Sequence, residues 1–216
     1  MLEEKQPREM PSMTPAQRRA NWWSYQWHYF LIGVAALAVL GGVLWERLSQ
    51  IEPDCSVALV AKYAVTSSEA AAIEQAFEEV CQDTNGDGRV YVAINTIQID
   101  YGSSNLDDAA VMAMSANIDK LHADFYTMQS GIFLLDDPEN FQKNHQALAY
   151  LDGTVPPEGA QDWENMTIPW SACLPENIPL DNLDPDSLWL GSRAVTNPKE
   201  QKAFAGAQNL WETLLN

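Results

Sequence analysis

The sequence predicts an α/β protein, a mostly parallel sheet with helices on both faces, preceded by one transmembrane helix. Residues 30–45 read FLIGVAALAVLGGVLW and carry no charge. Two further apolar runs, SVALVA at 56–61 and GIFLL at 131–135, are typical of strands that are buried on both faces. Segments with apolar residues at helical spacing separate such runs, and strands that alternate with helices indicate a parallel sheet.

Residues 29–46 are predicted to be a transmembrane signal anchor. The uncharged run is shorter than the roughly 20 residues that cross a bilayer, but aromatic residues, which prefer the membrane interface, extend it at both ends. These residues are Trp22, Trp23, Tyr25, Trp27, Tyr29 and Trp45. No small-residue cleavage site follows the run, which favours an anchor over a cleaved signal peptide. A buried core helix is the other alternative.

The basic residues around this anchor predict its orientation. Four of them precede it, namely Lys5, Arg8, Arg18 and Arg19. Only Arg47 follows it closely. Because Lys and Arg are enriched on the cytoplasmic side, the tail 1–28 is expected in the cytoplasm. Residues 47–54 then form a linker, and residues 55–216 form an extracytoplasmic domain held at the cell membrane.

The part of the chain that follows the anchor is strongly acidic. From Glu46 onward there are 27 acidic and 8 basic residues, which leaves a formal charge of −19. Nucleic acid is excluded as a partner, because its binding depends on basic groups that displace counterions. The charge fits divalent cations, cationic peptides or mere solubility better. The partners expected are the membrane and a small solute, a cation or a protein of the cell envelope.

Capping residues and apolar spacing define the first elements of the domain. Residues 66–69, Thr-Ser-Ser-Glu, match a capping box that opens a helix. The buried face of this helix is predicted to hold Ile73, Ala76, Phe77, Val80 and Cys81. A strand is expected over 90–99. The helix after it is predicted to bury the stripe Met114, Ile118, Leu121, Phe125 and Met128.

The second half of the domain is predicted to hold a third helix, a long irregular segment, and a final strand and helix. Asp137, followed by a proline, is the expected N-cap of the third helix. Residues 152–187 contain six of the twelve prolines and fit neither periodicity, and loops of this length are usually functional. A strand at 188–195 and a helix capped by Asn197 complete the expected fold.

This layout is similar to one lobe of a periplasmic-type solute-binding protein. The helix at 69–82 leading into VYVAINTI, the strand end IFLLDD and the strand LWLGSRAV carry the resemblance. The aromatic YQWHY entry to the apolar run and the GDGRV turn also resemble single-pass membrane proteins of Firmicutes. The resemblance implies an extracytoplasmic lobe of binding type, and it assigns no ligand residues.

The segment 83–88 has the opening of a calcium loop. Asp83, Asn85 and Asp87 stand at its first, third and fifth positions, and oxygen ligands at that spacing converge on Ca²⁺. The twelfth position, usually a bidentate Glu, is Ile94, so only weak Ca²⁺ binding is expected. The alternative is a turn whose Asp and Asn side chains cap their own backbone.

A polar ligand or peptide site is predicted where the strands end. In open α/β sheets, ligands bind outside the carboxyl ends of the strands. Five residues are expected at that edge beside Asp100, namely Lys62, Tyr63, Tyr101, Asp136 and Asp137. The alternative is that Asp137 only caps a helix and that the other side chains solvate the ends of loops.

The three cysteines leave two interpretations open. In a right-handed β-α unit the helix runs back along its strand, so Cys55 and Cys81 are expected at the same edge of the sheet. A Cys55–Cys81 disulfide with Cys173 free is one interpretation, since an exported domain allows disulfides. Three buried thiols are the other.

No catalytic arrangement of Ser, His and Asp, of Cys and His, or of zinc-binding histidines is recognisable in the sequence. A membrane-tethered domain without enzymatic activity, used for sensing, as an adaptor or as a scaffold, is therefore expected. No cofactor is expected apart from weakly bound Ca²⁺. A ligand- or Ca²⁺-binding module is the alternative function, and a hydrolase is less favoured.

Protease treatment of intact cells tests the predicted orientation. A protease added outside is expected to digest residues 55–216, because they are exported, and to leave the tail 1–28 protected. Immunoblotting against tags at the two ends measures both outcomes. Protection of the carboxyl-terminal tag until the cells are lysed contradicts the orientation.

Overall fold

The computed structural model of the protein describes residues 14–49, 52–103, 107–174 and 178–215. It divides the chain into two units, Met1–Ile51 and Glu52–Asn216. Lys5 and Arg8 of the predicted tail and residues 50–51 of the predicted linker lie outside the described residues.

The first unit contains one long helix, α1, at Pro15–Ser49. Its segment Gln26–Val43 is long and apolar enough to cross a membrane, and no part of that segment is buried. A signal sequence near the amino terminus has the same length and composition, so α1 fits either a membrane anchor or a signal sequence. The helix begins before the predicted anchor, because Thr14 and Gln17 exchange capping hydrogen bonds around Pro15.

The described part of the second unit is built on a five-stranded sheet. Its strands are β1 (Cys55–Ala61), β2 (Val92–Gln98), β3 (Ile132–Leu135), β4 (Thr167–Pro169) and β5 (Trp189–Ser192). Their order across the sheet is β2-β1-β3-β5-β4. β1 pairs in parallel with β2 and β3, whereas β5 is antiparallel to both of its neighbours. The predicted α/β class with a mostly parallel sheet is confirmed, since β5 alone of these described strands runs against the others.

Helices connect the strands and follow the last one. They are α2 (Ser67–Glu78), α3 (Asp108–Thr127), α4 (Pro138–His145), α5 (Pro198–Ala203) and α6 (Ala205–Leu214), with short 3-10 turns at Trp163–Asn165, Trp170–Ala172 and Pro185–Ser187. Thr66, Asp137 and Asn197 each accept a backbone hydrogen bond at the first turn of a helix. The capping predicted at these three positions is therefore confirmed.

Alternate side chains of β1 belong to two different apolar clusters. One cluster contains Val57, Leu59 and Ala61 with residues of α2 and α6. The other contains Ala58 and Val60 with residues of α3 and α4. Successive side chains of a strand point to opposite faces, so burial of both sets explains why β1 reads as one continuous apolar run.

Three features go beyond the sequence predictions or differ from them. The sequence leaves the direction of β5 open, and β5 is antiparallel to β3, which needs no crossover helix. β4 lies inside the segment 152–187, and its three residues ending in Pro169 are too few to show a strand pattern. Met128, predicted on the inner stripe of α3, is the left-handed C-cap of that helix and packs against the cluster of α2.

A buried carboxylate, that of Glu69, ties the irregular segment to α2. Its Oε2 accepts hydrogen bonds from the N–H and the hydroxyl of Thr66, both at 2.8 Å. Its Oε1 accepts from the backbone N–H groups of Asp181 and Asn182, at 2.8 and 2.6 Å. Burial raises the pKa of Glu69, but these hydrogen bonds outweigh burial and lower the pKa to about 2.

The substitution Glu69→Gln is expected to lower the free energy of unfolding by about 1–3 kcal/mol, because an amide NH₂ group cannot accept the N–H groups that face it. Chemical denaturation of the purified chain measures the change. Glu79→Gln, which alters an exposed acid at the end of the same helix, is the matched control and is expected to stay within about 0.5 kcal/mol of the wild type.

The stabilisation from Glu69 has a defined pH dependence. Its pKa of about 2 in the folded protein lies below the ordinary value of 4.5, so the stabilisation is complete above pH 4.5 and is lost as the pH falls toward 2. The Glu69→Gln variant is expected to lack this part of the acid sensitivity. If the wild type and the variant lose the same amount of stability between pH 4.5 and pH 2, the assignment of this pH dependence to Glu69 is contradicted.

Candidate functional site

The carboxyl ends of β1, β2 and β3 bring charged residues together. Lys62, Asp100 and Asp136 lie just after these three strands. The backbone N–H of Lys62 donates to Asp136 Oδ2 at 2.6 Å, and Lys62 Nζ lies 3.6 Å from Asp100 Oδ2. The ammonium lies 5.7 Å from the ring centroid of Tyr63, which is 57% exposed. A polar cluster therefore stands at the edge where the sequence predicts a site.

A cleft of about 290 Å³ opens beside Lys62 and Asp100. The residues after β1 and β2 form a polar wall, and the amino-terminal half of α3 forms a mainly apolar wall. The lining residues are Lys62, Tyr63, Gln98, Asp100, Ser103, Ala110, Ala113, Met114 and Asn117. Of the five predicted ligand residues, Lys62 and Tyr63 line this cleft.

Hydrogen bonding and burial shift the pKa values of the two carboxyls beside Lys62 in opposite directions. The hydroxyl of Ser103 donates to Asp100 and, together with Lys62, lowers the pKa of Asp100 below its ordinary value. Burial raises the pKa of Asp136, and the charge of Asp137 adds to this effect. The cleft therefore presents an anion at Asp100 beside the cation of Lys62.

The other three predicted ligand residues make contacts inside the domain. Asp137 caps α4 by accepting from the N–H of Asn140 at 3.1 Å, which is the capping role that the sequence left open. Asp136 accepts the N–H of Lys62. The hydroxyl of Tyr101 lies 2.9 Å from Nε2 of His145. These three side chains support the edge of the sheet but do not line the cleft.

The pair formed by Tyr101 and His145 is missed by sequence reasoning. Burial lowers the pKa of His145 to about 4, and the charge of His122 acts in the same direction. Burial also raises the pKa of Tyr101, as do Asp137 and Asp136. At neutral pH the phenol and the imidazole are therefore both uncharged, and the tautomer of His145 decides which of the two donates the hydrogen bond. The two partners are 44 positions apart in the sequence, so no short motif signals the contact.

The acidic turn directs its side chains to its own backbone. Asp83 accepts from the N–H groups of Gly86 and Gly88, at 2.6 and 2.9 Å. Asn85 and Asp87 each accept from the N–H two residues later. Within the described ranges, no group of three or more His, Cys, Asp or Glu side chains is placed to hold a metal. The geometry is that of a capped turn, and weak Ca²⁺ binding stays a prediction.

Asp54 holds this turn at the start of β1. Its Oδ1 accepts from the N–H groups of Thr84 and Asn85 at 2.7 and 3.0 Å, and its Oδ2 accepts from Tyr91 at 3.0 Å. Burial raises the pKa of Asp54, but these hydrogen bonds outweigh burial and lower it. A Cβ on Gly206 of α6 would lie 1.8 Å from the carbonyl oxygen of Asp54, so this close approach requires glycine.

The three cysteines are free thiols. Cys55 and Cys81 belong to the same buried cluster, and both burial and the proximity of Cys81 raise the pKa of Cys55. Burial raises the pKa of Cys81 and that of Cys173 to about 11. All three thiols are therefore protonated and weakly nucleophilic at neutral pH. The structure thus has Cys55 and Cys81 unpaired but in one cluster, and a disulfide between them in an oxidising compartment stays a prediction.

Comparisons of the chain with protein families, curated proteins and solved structures found no match. The resemblance to a solute-binding lobe therefore stays an expectation, and function has to be inferred from the chemistry of the site. That chemistry consists of a cation and an anion, Lys62 and Asp100, beside an apolar wall.

Thermal unfolding of the full chain tests whether the acidic turn binds Ca²⁺. At ten times its dissociation constant, Ca²⁺ would stabilise the fold by about 1.4 kcal/mol, because only the folded state binds it. The variant Asp87→Asn keeps an oxygen for the turn but loses a charge, so the rise in melting temperature is expected to shrink. Asp186→Asn, in another exposed turn, is the control. Equal melting in Ca²⁺ and in EDTA contradicts a metal site.

Proposed function

We propose that this protein is a non-enzymatic sensor or adaptor that binds a small polar solute outside the cell while anchored in the cell membrane. In this proposal residues 29–46 span the membrane, the amino terminus is cytoplasmic, and residues 55–216 are extracytoplasmic. The observation that carries the proposal is the cleft at the carboxyl edge of the sheet, which Lys62 and Asp100 line with opposite charges.

The ion pair in this cleft is suited to exchange with a ligand. Lys62 and Asp100 are 50% and 23% exposed, and a pair this accessible contributes only about 0–1 kcal/mol. A zwitterionic solute carries one ammonium and one carboxylate group. Its ammonium would pair with Asp100 and its carboxylate with Lys62, so ion pairs of similar strength would replace the one between Lys62 and Asp100. Ala113 and Met114 then give its apolar group a surface to pack on. We therefore favour an amino acid or a short peptide as the solute class.

The architecture of the domain supports a binding role. Sheets covered by helices on both faces bind ligands at the carboxyl ends of their strands, and the two clusters that meet on β1 favour this layered arrangement. A cleft of about 290 Å³ is at the lower end of the range for small-molecule sites. A solute of a few heavy atoms, comparable to an amino acid, fits that volume.

Titration with leucine and two of its derivatives tests the proposal. The full chain in lipid nanodiscs is titrated with leucine, leucine amide and N-acetyl-leucine, and binding is followed by NMR of the ligands. Leucine is expected to bind most tightly, because it alone carries both charges. Lys62→Gln is expected to weaken leucine binding by about fivefold, which corresponds to the loss of one exposed charge contact.

Lys199→Gln, which removes an exposed cation that does not line the cleft, is the matched control and is expected to bind leucine as the wild type does. Equal affinity for all three compounds contradicts recognition of a zwitterion. The absence of any leucine binding contradicts the solute class.

A further inference from the structure

A second cavity, of about 320 Å³, lies at the amino edge of the sheet, opposite the cleft at Lys62. It is lined by Gly131, which precedes β3, by Arg193, which follows β5, and by residues of α5 and α6. The N–H of Arg193 donates to the carbonyl of Gly131 at 3.0 Å. We refer to it as the amino-edge cavity, and it shares no lining residue with the cleft. A cavity of this volume is large enough to hold a small molecule.

The positive charge in this cavity is already engaged by the protein. The guanidinium of Arg193 donates to the carbonyl of Phe125 at 2.7 Å and lies 3.9 Å from Asp124 Oδ1. It also lies 4.9 Å from the ring centroid of Phe204 and so occupies a face of that ring. An incoming anion would find little uncompensated positive charge here, and the strongly acidic domain would repel it.

The acidic residues of the lining do not select a cation either. Asp152 is exposed, and its Oδ1 accepts from the N–H and the hydroxyl of Thr154 at 2.9 and 2.6 Å. An ion pair with a carboxylate this exposed contributes little. Glu212 already interacts with another group of the protein. The charged side chains of the cavity therefore favour an uncharged ligand over a charged one.

An indole N–H in this lining lacks an acceptor. Trp211 lines the cavity and is 5% exposed, and its Nε1 is buried without a hydrogen-bond partner in the described part of the chain. An indole N–H can only donate, and a buried donor that is left without an acceptor is costly. An acceptor atom on a bound ligand would remove this cost, which neither a cation nor a hydrocarbon can do.

Aliphatic side chains and neutral amides make up much of the remaining lining. Leu151, Val195 and Leu215 provide aliphatic surface, and Leu215 is 42% exposed, so this surface extends toward solvent. Gln201 and Gln208 add uncharged polar groups. A ligand with an apolar body would gain from burial against the aliphatic surface, and a single polar atom would fix its orientation.

We propose that the amino-edge cavity binds an uncharged carbonyl compound, whose oxygen accepts the hydrogen bond of the Trp211 N–H while its apolar body packs against Leu151, Val195 and Leu215. A ketone or an ester carries such an oxygen. It accepts without donating, so it satisfies the indole and brings no charge or second donor that needs a partner. The site is independent of the proposed solute cleft, from which it differs in edge, lining residues and class of ligand.

Four probes with one phenyl body and different polar groups test this assignment. The full chain in nanodiscs of zwitterionic lipid is titrated with 4-phenylbutan-2-one, butylbenzene, protonated 4-phenylbutan-2-amine and 4-phenylbutanoate, and empty nanodiscs correct for partitioning into lipid. Ligands of this size bind with dissociation constants on the order of millimolar, so ligand NMR is the readout. The ketone is expected to bind about threefold to tenfold more tightly than butylbenzene, because it gains one hydrogen bond, and more tightly than either charged probe.

The indole proton of Trp211 reports the hydrogen bond directly. In nitrogen-15 NMR of the tryptophan indoles, the ketone is expected to move the Trp211 signal downfield, and the variant Trp211→Phe identifies that signal by its loss. The same variant keeps an aromatic ring without an N–H, so the preference for the ketone over butylbenzene is expected to disappear. Trp163→Phe changes a half-buried tryptophan that does not line the cavity, and this matched control is expected to keep the preference.

Each of the opposite results overturns the proposal. Tightest binding of the carboxylate would assign the site to Arg193, and tightest binding of the ammonium would assign it to Asp152. Equal affinity for the ketone and butylbenzene, or an indole spectrum that the ketone leaves unchanged, contradicts recognition of an acceptor. Both measurements use the wild type, so they hold even if Trp211→Phe does not fold. Loss of the preference in Trp163→Phe, or no binding of the ketone, overturns the proposal as well.

Discussion

The parallel pairing of β1 with β2 on one side and β3 on the other is the constraint on which the rest of the domain depends. β1 pairs along its whole length with β2 and over four residues with β3, and its side chains are buried in both apolar clusters. Parallel pairing makes the carboxyl ends of the three strands coincide, with Ala61 opposite Gln98 and Val60 opposite Leu135. The residues that follow these ends meet at one edge although they are far apart in sequence.

Two carboxylates fasten loops to this frame, and the hydrogen bonds they accept explain how an acidic chain can bury them. Asp54 and Glu69 are 7% and 0% exposed, and each accepts hydrogen bonds at both oxygens. Backbone N–H donors replace the water that an ionised carboxylate loses on burial, so the pKa of each falls instead of rising. The chain around Asp181 has no helix or strand to satisfy its N–H groups, and Glu69 supplies that acceptor. Part of the acidity of the domain is therefore structural and is not available to a ligand.

Elements with a local signal could be predicted from the sequence, and those set by the path of the chain could not. The apolar run of β1 and the capping box at Glu69 depend on neighbouring residues, and both are present as predicted. The meeting of Lys62 with Asp136 also follows from the rule for parallel strand ends. The direction of β5 is set by the route of residues 152–187, which have no periodicity to interpret. The apolar wall of the cleft depends on where α3 packs, which the sequence does not reveal either. The sequence analysis therefore predicts residues of the polar wall only.

The reversed direction of β5 decides which charges each edge of the sheet carries. Because β5 is antiparallel to β3, its last residue Ser192 pairs with Ile132, the first residue of β3, and Arg193 emerges at the amino edge. A parallel β5 would place Arg193 at the carboxyl edge, next to the end of β3. Instead Arg193 is neutralised by Asp124 between two aromatic rings, and Lys62 is the basic residue that lines the described part of the cleft. One short strand, whose direction the sequence does not reveal, thus places Arg193 at the amino edge and leaves the ion pair of Lys62 and Asp100 at the carboxyl edge.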